Sequence, residues 1–163
     1  MESLDALYEH ASFMDRVLVG LMLVFNVPVK LIGGGPFQHR DRRPLMARWV
    51  LASWRERKLV LHQFIRGDHR EQGVHDHPWA CTSLVVKGSY VEHVAAPAGQ
   101  ALRVSVRSAG SLQSNPPGYR HIVTLVNGKA DGTSGHCWTV ALLGPRVRAW
   151  GFPDVPELRV VGR

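Results

Sequence analysis

From Leu45 onward the apolar positions fall into short extended runs: "MARWVLASW", "KLVLHQFIR", "CTSLVVKGSYVEHVA", "ALRVSVR", "HIVTLV" and "HCWTVALLG". Gly, Pro, Asp and Asn punctuate them, and no helical stretch separates them. This spacing predicts an all-β sandwich or barrel rather than a parallel βαβ sheet. Ahead of Leu45 the pattern differs. Leu4, Leu7, Tyr8, Ala11, Phe13 and Met14 recur near helical spacing, Ser3 can cap and Asp5 suits a first turn, so a helix is expected from about Ser3 to Asn26. Pro28 and the "GGGP" at Gly33 to Pro36 end it. The expected organisation is an N-terminal helical and irregular extension over residues 1–44, packed outside a β-barrel over residues 45–163, with the two forming one domain. The tail "FPDVPELRVVGR" is expected to add one edge strand.

Composition narrows this picture only a little. At 163 residues, 45% hydrophobic and 20% charged, the chain has the make-up of one globular domain with its own core. The formal charge of +7 suits an anionic partner. The basic residues are scattered apart from "QHRDRRP" at Gln38 to Pro44, and neither a Lys/Arg-rich helix nor an aromatic-basic RNA motif is present, so nucleic acid is not the expected partner. Cys81 and Cys137 make no disulfide framework and fit a reducing compartment. The run Val17 to Phe25, "VLVGLMLVF", is interrupted by Asn26, Pro28 and Lys30 well short of the roughly 20 apolar residues that a membrane span needs. It reads as a buried or dimer-facing helix, and a homodimer is expected. Glu2, Asp5, Glu9 and Asp15 stand where a signal peptide would be basic, and the expected location is cytoplasmic.

Candidate chemistry begins in "GVHDHPWACTSLVVKG", Gly73 to Gly88. In extended backbone His75 and His77 share one face, with Asp76 turned away. Two imidazoles on one face need only one or two further ligands from a neighbouring strand to close a site for Fe, Zn, Cu, Ni or Mn. Downstream, "GSLQSNPPGYRHIVTLV" places Gly110, Pro116, Gly118 and His121 at fixed intervals.

These two stretches resemble the paired motifs of the cupin superfamily, G-x5-HxH-x3,4-E-x6-G and G-x5-P-x-G-x2-H-x3-N. In the first, His75, His77 and Gly88 match, His69 replaces the first Gly, and Cys81 occupies the place of the Glu that would be a fourth ligand. In the second, every position matches but the last, where Leu125 stands for Asn. The resemblance runs from about Leu59 to Gly144. Within the superfamily, "HDHPW" and "WTVALLGPRVRAWGF" look like a group of small bacterial cupins of no known activity. The resemblance implies an antiparallel jelly-roll β-barrel holding one divalent metal ion, with His75, His77 and His121 as ligands and iron(II) as the first guess, Zn, Mn, Ni or Cu being the alternatives. Three imidazoles leave open coordination positions, as a catalytic site requires. A set lacking the Glu leaves the ion its full charge, suited to a chelating anionic substrate. Thiol dioxygenases among the cupins use such an iron site, and cysteine dioxygenase also has a Cys near the glutamate position. There that cysteine joins a tyrosine in a thioether, whereas Trp138 stands where the partner would be sought here.

Other side chains admit two readings each. Cys81 is a thiolate ligand, a substrate-facing group or a small core residue. Alternation puts Val60, His62, Phe64 and Arg66 on one face, where His62 and Arg66 can hold a substrate carboxylate, or serve as an interior histidine and a surface charge. Tyr119 shares a side with His121 if the backbone there is extended, and its hydroxyl can then donate to substrate, while Arg120 points away. Trp79 is a rim, dimer or stacking residue, and Trp138 a core residue or an aromatic platform. Cys137 and His136 read as structural.

The function these features imply is a metal-dependent enzyme, a mononuclear non-haem iron oxygenase or dioxygenase acting on a small anionic organic molecule. Tyr119, Arg66 and Cys81 are its candidate catalytic residues beside the three histidines. The alternatives are a non-oxidative isomerase or lyase, or a non-catalytic metal- or ligand-binding cupin.

Overall fold

A computed structural model describes residues 11–32, 44–68, 74–95, 102–125 and 136–149. Helix α1 (Phe13–Val24) comes first, followed by strands β1 (Val29–Ile32), β2 (Met46–Trp54), β3 (Arg57–Phe64), β4 (His75–Asp76) and β5 (Cys81–Lys87). Strands β6 (Ser89–Val94), β7 (Arg103–Ser108), β8 (Leu112–Asn115), β9 (Arg120–Leu125) and β10 (Cys137–Leu143) complete the order. They form two antiparallel sheets, β1-β2-β3-β10-β5-β8 and β4-β9-β6-β7. The all-β expectation holds, and the alternating runs beyond Leu45 become β2, β3, β5–β7, β9 and β10. Strand β4 is the extended stretch expected at His75, whereas β1 and β8 were not expected, being short and, in "LQSN", mostly polar.

The helix departs from expectation at its start. Ser12 is extended, and its hydroxyl accepts from the Asp15 amide at 3.3 Å while the Asp15 carboxylate accepts from the Ser12 amide at 2.9 Å. This reciprocal cap satisfies two orphan donors at Phe13, so the helix begins there and is not continuous through Ala11 and Ser12. The expected first turns at Ser3 to His10 lie outside the described residues, as do the "QHRDRRP" stretch up to Arg43, His69 and the C-terminal tail.

The helix packs outside the six-stranded sheet, as expected. Val19 is fully buried against Ala47, Trp49, Leu61 and Trp138, which all point outward from that sheet. Asp15 accepts from the Trp138 indole N–H at 2.7 Å and pairs with the Lys87 ammonium. Burial opposes the Asp15 charge, but the bonds from Lys87, Ser12 and Trp138 outweigh it, and its pKa lies below the ordinary value. Trp138 is therefore a core residue beneath a helix rather than an aromatic platform in the barrel. The helix leaves Phe13, Val24 and Phe25 exposed, and no described helix is long and apolar enough to cross a membrane.

The opposite face of the same sheet turns inward. Val60, Ala141 and Leu143 pack there with Val50, Trp79 and Cys81, and Val85, Tyr90, Val123 and Cys137 gather with Phe64 and Leu125. Two glycines of the motifs hold turns, Gly88 between β5 and β6 and Gly118 ahead of β9. Gly88 has φ +76°, and a Cβ there would lie 2.9 Å from the His136 carbonyl oxygen. Gly118 has φ +79°, and a Cβ would lie 2.7 Å from the Arg148 guanidinium. The backbone disfavours a side chain at both positions, and at Gly88 the close backbone of His136 and Cys137 adds to the strain.

Candidate metal centre

His75 lies in β4 directly opposite His121 in β9, and His77 follows as β4 ends. The Gly118 amide donates to the His77 carbonyl at 2.9 Å, so the turn of the second motif is bonded to the end of the first. The three imidazoles converge, with ligand nitrogens all within 4.8 Å of one another. His77 Nε2 and His121 Nε2 are 2.8 Å apart. Two nitrogens each about 2.0–2.1 Å from one ion, at a right angle, lie roughly 3 Å apart, so this donor set fits a first-row divalent ion. Asp76 points away as alternation requires, buried against Arg148 at 3.0 Å.

Electrostatics keep His75 and His77 neutral. Burial, then the neighbouring His121 and His75, push His77 down to about 2. Burial also lowers His75, against the attraction of Asp68, whose carboxylate is 3.9 Å from His75 Nδ1. A neutral imidazole offers the lone pair that a metal needs. On the other side of the cluster His121 Nδ1 is 2.8 Å from Glu92, which is fully buried and also accepts from Arg107 at 3.1 Å and Gln113 at 3.2 Å. Burial works against the Glu92 charge, yet its bonds with His121, Gln113 and Arg107 hold it at about 2. An ionised Glu92 accepts a hydrogen bond from the Nδ1–H and leaves Nε2 facing the cluster, an outer-shell arrangement that fixes a ligand's tautomer.

The cluster opens onto a cavity of about 80 Å³ lined by His62, His77, His121, Tyr119, Trp79 and Cys81, among others. That is space for on the order of half a dozen water molecules, or one small organic molecule. Tyr119 stands on the His121 side, their rings 5.4 Å apart, and burial raises its phenol pKa. Cys81 lines the cavity but is not in the ligand cluster. Burial pushes its thiol up to about 11, so it is protonated near neutrality. Arg66 lies past the end of β3, its amide donating to the Leu45 carbonyl at 3.2 Å, and it is not among the lining residues. The guanidinium in the cavity is that of Arg48, opposite His62 in the β2–β3 register. Sequence reasoning missed Arg48, Glu92 and Asp68. Alternation carried a signal for the first two, since Arg48 shares a face with Met46 and Val50, and Glu92 shares one with Tyr90 and Val94.

No protein-family profile matches the sequence, and no curated protein is similar to it. Among solved structures, the iron(II) form of HppE superposes with a TM-score of 0.54, covering 73% of this chain and 57% of that one at 11% identity. Two antiparallel sheets match, and both histidine motifs meet at one mouth. The fold is that of the cupins. HppE in complex with substrate gives a TM-score of 0.53 at 11% identity, over the same shares of the two chains. An RmlC-like cupin from Shewanella frigidimarina NCIMB 400 gives 0.49 at 21% identity, covering 74% of this chain and 86% of that one. The chain spans little more than half the length of HppE.

Proposed function

We propose that the protein is a metal-dependent cupin enzyme, a mononuclear non-haem iron oxygenase of the dioxygenase type acting on a small anionic organic molecule. The observation that carries this reading is the convergence of three imidazoles, His75, His77 and His121, with His77 and His121 lining a small cavity. When bound, iron(II) supplies Lewis acidity and electrons for dioxygen chemistry, with coordination positions left open by three protein ligands. HppE was solved with iron(II), which makes that ion the first to try.

The chain's own residues divide the remaining work. Glu92 holds His121 in one tautomer, and Asp68 faces His75. The Tyr119 phenol, kept protonated, donates a hydrogen bond to a substrate oxygen in the cavity. Cys81 presents a neutral thiol to the same space, a contact for substrate rather than a ligand. The inner sheet faces exclude water from the rest of the cavity wall. The reading includes a cytoplasmic protein and a homodimer that covers the exposed stripe of α1.

Elemental analysis of untagged protein tests it, alongside the His121→Ala variant. About one iron per wild-type chain is expected, falling in the variant, with oxygen uptake on a panel of thiols and small carboxylic acids. Stoichiometric zinc would move the reading to a non-oxidative isomerase or lyase. Absence of metal from both proteins after anaerobic reconstitution with iron, manganese, nickel, copper and zinc would overturn it.

A further inference from the structure

Arg48 is the one cationic side chain lining the cavity among the described residues. Its surroundings are unusual for a half-buried guanidinium. The buried acids near the site are engaged elsewhere: Glu92 with Arg107, His121 and Gln113, Asp76 with Arg148, and Asp68 with the Val123 amide at 2.7 Å. No described carboxylate pairs with Arg48. Its Nε donates to His62 Nε2 at 2.9 Å, and its Cζ lies 5.5 Å from the Trp79 ring centroid.

Those two contacts fix its direction. His62 is buried and neutral, with burial the larger cause and Arg48 the second. A neutral imidazole that accepts at Nε2 carries its proton at Nδ1, which lies 3.4 Å from the Thr139 hydroxyl. The row Thr139, His62, Arg48 thus runs across three hydrogen-bonded strands, β10, β3 and β2, and consumes the Nε–H of the guanidinium. The indole of Trp79 takes up one face. The two terminal amino groups are left as a planar fork, the geometry that receives both oxygens of one carboxylate. Trp79 also lies 6.3 Å, ring to ring, from the ligand His77, so the fork and the metal cluster share one wall of the cavity.

We infer that Arg48, held by His62 and Trp79, is the anion subsite of this cavity and that its ligand is a small carboxylate, bound with its carboxylate on the Arg48 fork and the remainder directed toward His77 and His121. This specifies the substrate class of the function proposed above and rests on that reading for the reaction. The binding step itself needs no metal. A carboxylate is favoured over a tetrahedral dianion because it is planar, matches a single guanidinium in charge and fits a cavity of about 80 Å³. Arg48 is a binding residue here, and His62 a positioning one.

Calorimetric titration of the full chain with propanoate, propanamide and inorganic phosphate tests the inference, on iron(II)-loaded protein under anaerobic conditions and on chelator-treated protein. Wild type is expected to bind propanoate in preference to propanamide and phosphate. Arg48→Met should weaken propanoate roughly tenfold to a hundredfold in both forms, the loss of a charge-assisted bond. Arg48→Lys, which keeps the charge and loses the fork, should fall between them, and Arg66→Met should bind as wild type does. Iron content should be unchanged by Arg48→Met, so a protein that binds no metal would sink the enzyme reading and leave this one standing on its chelated arm. Wild-type propanoate affinity in a folded Arg48→Met would overturn the inference. So would propanamide binding as tightly as propanoate, phosphate binding more tightly, or no propanoate binding to wild type in either form.

Discussion

On the outward face of the six-stranded sheet, Asp15 is buried and completely answered: Ser12, the Trp138 indole and the Lys87 ammonium all bond to it. On the inward face Arg48 is answered, among the described residues, only by neutral groups, His62 and Trp79. Both charges sit on or against the same sheet. The difference separates what a charge does for the fold from what it does for a ligand. A carboxylate bonded on every side ties helix to sheet, and its removal leaves partners stranded. A guanidinium without a counter-charge contributes little to folding and stands ready for an anion that arrives from solution.

The comparison can be broken most directly by stability. Asp15→Ala should lower the unfolding free energy by about 3 kcal/mol, since it strips the helix cap and strands the Trp138 N–H, with the partly exposed Lys87 end discounted for solvent screening. Arg48→Met should stay within about 1 kcal/mol of wild type. Urea denaturation of both variants checks the pair, and equal losses would erase the distinction. A smaller effect is expected behind the metal ligands, where Glu92→Gln keeps the shape and loses the charge on His121 Nδ1. Its iron or zinc affinity should fall roughly tenfold to a hundredfold, measured by competition with a chromophoric chelator.

The smallest effect is the sharpest in sign. His62 has a folded pKa well below its ordinary value of 6.5, so the unfolded chain binds a proton that the folded one refuses. Stability from this group is intact above about pH 6.5 and declines as pH falls below it. Asp15 has a folded pKa below its ordinary value of 3.8, so its contribution is intact above that pH and is lost only as pH falls through the lower folded value. The inward and outward faces therefore titrate in separate windows. In chelator-treated protein, His62→Gln should flatten the stability profile between about pH 6.5 and 4, by under about 1.4 kcal/mol per pH unit, and Asp15→Asn should flatten it only below about 4.

Why some of this was legible in the sequence and some was not follows from how each feature is encoded. Strand β2 occupies the run "MARWVLASW" from end to end because buried and partly buried positions alternate strictly through its first half. The histidine cluster was legible because two histidines one residue apart must share a face, and because the glycines and proline of the second motif fix the approach to His121. Strand β8 escaped notice because "LQSN" carries one apolar residue and gains its place by pairing with β5. The helix start was misread because apolar spacing continues through Ala11, while the deciding signal, Ser12 followed by Asp15, is local and polar. Arg48 was passed over for Arg66 because alternation along one strand says nothing about its neighbour. Only the register that sets Arg48 opposite His62 shows which arginine enters the cavity.

Strand β4 is two residues long and lies at the edge of its sheet, with β9 as its partner. So short a ladder has almost no cooperativity of its own. An ion gripped by His77 and His121 would close a loop between positions 44 apart in sequence, and the chain entropy it removes from the opened state would act on that edge. In such a molecule the metal is a rivet as much as a reagent: the part that makes the chemistry possible also pins down the strand that presents it.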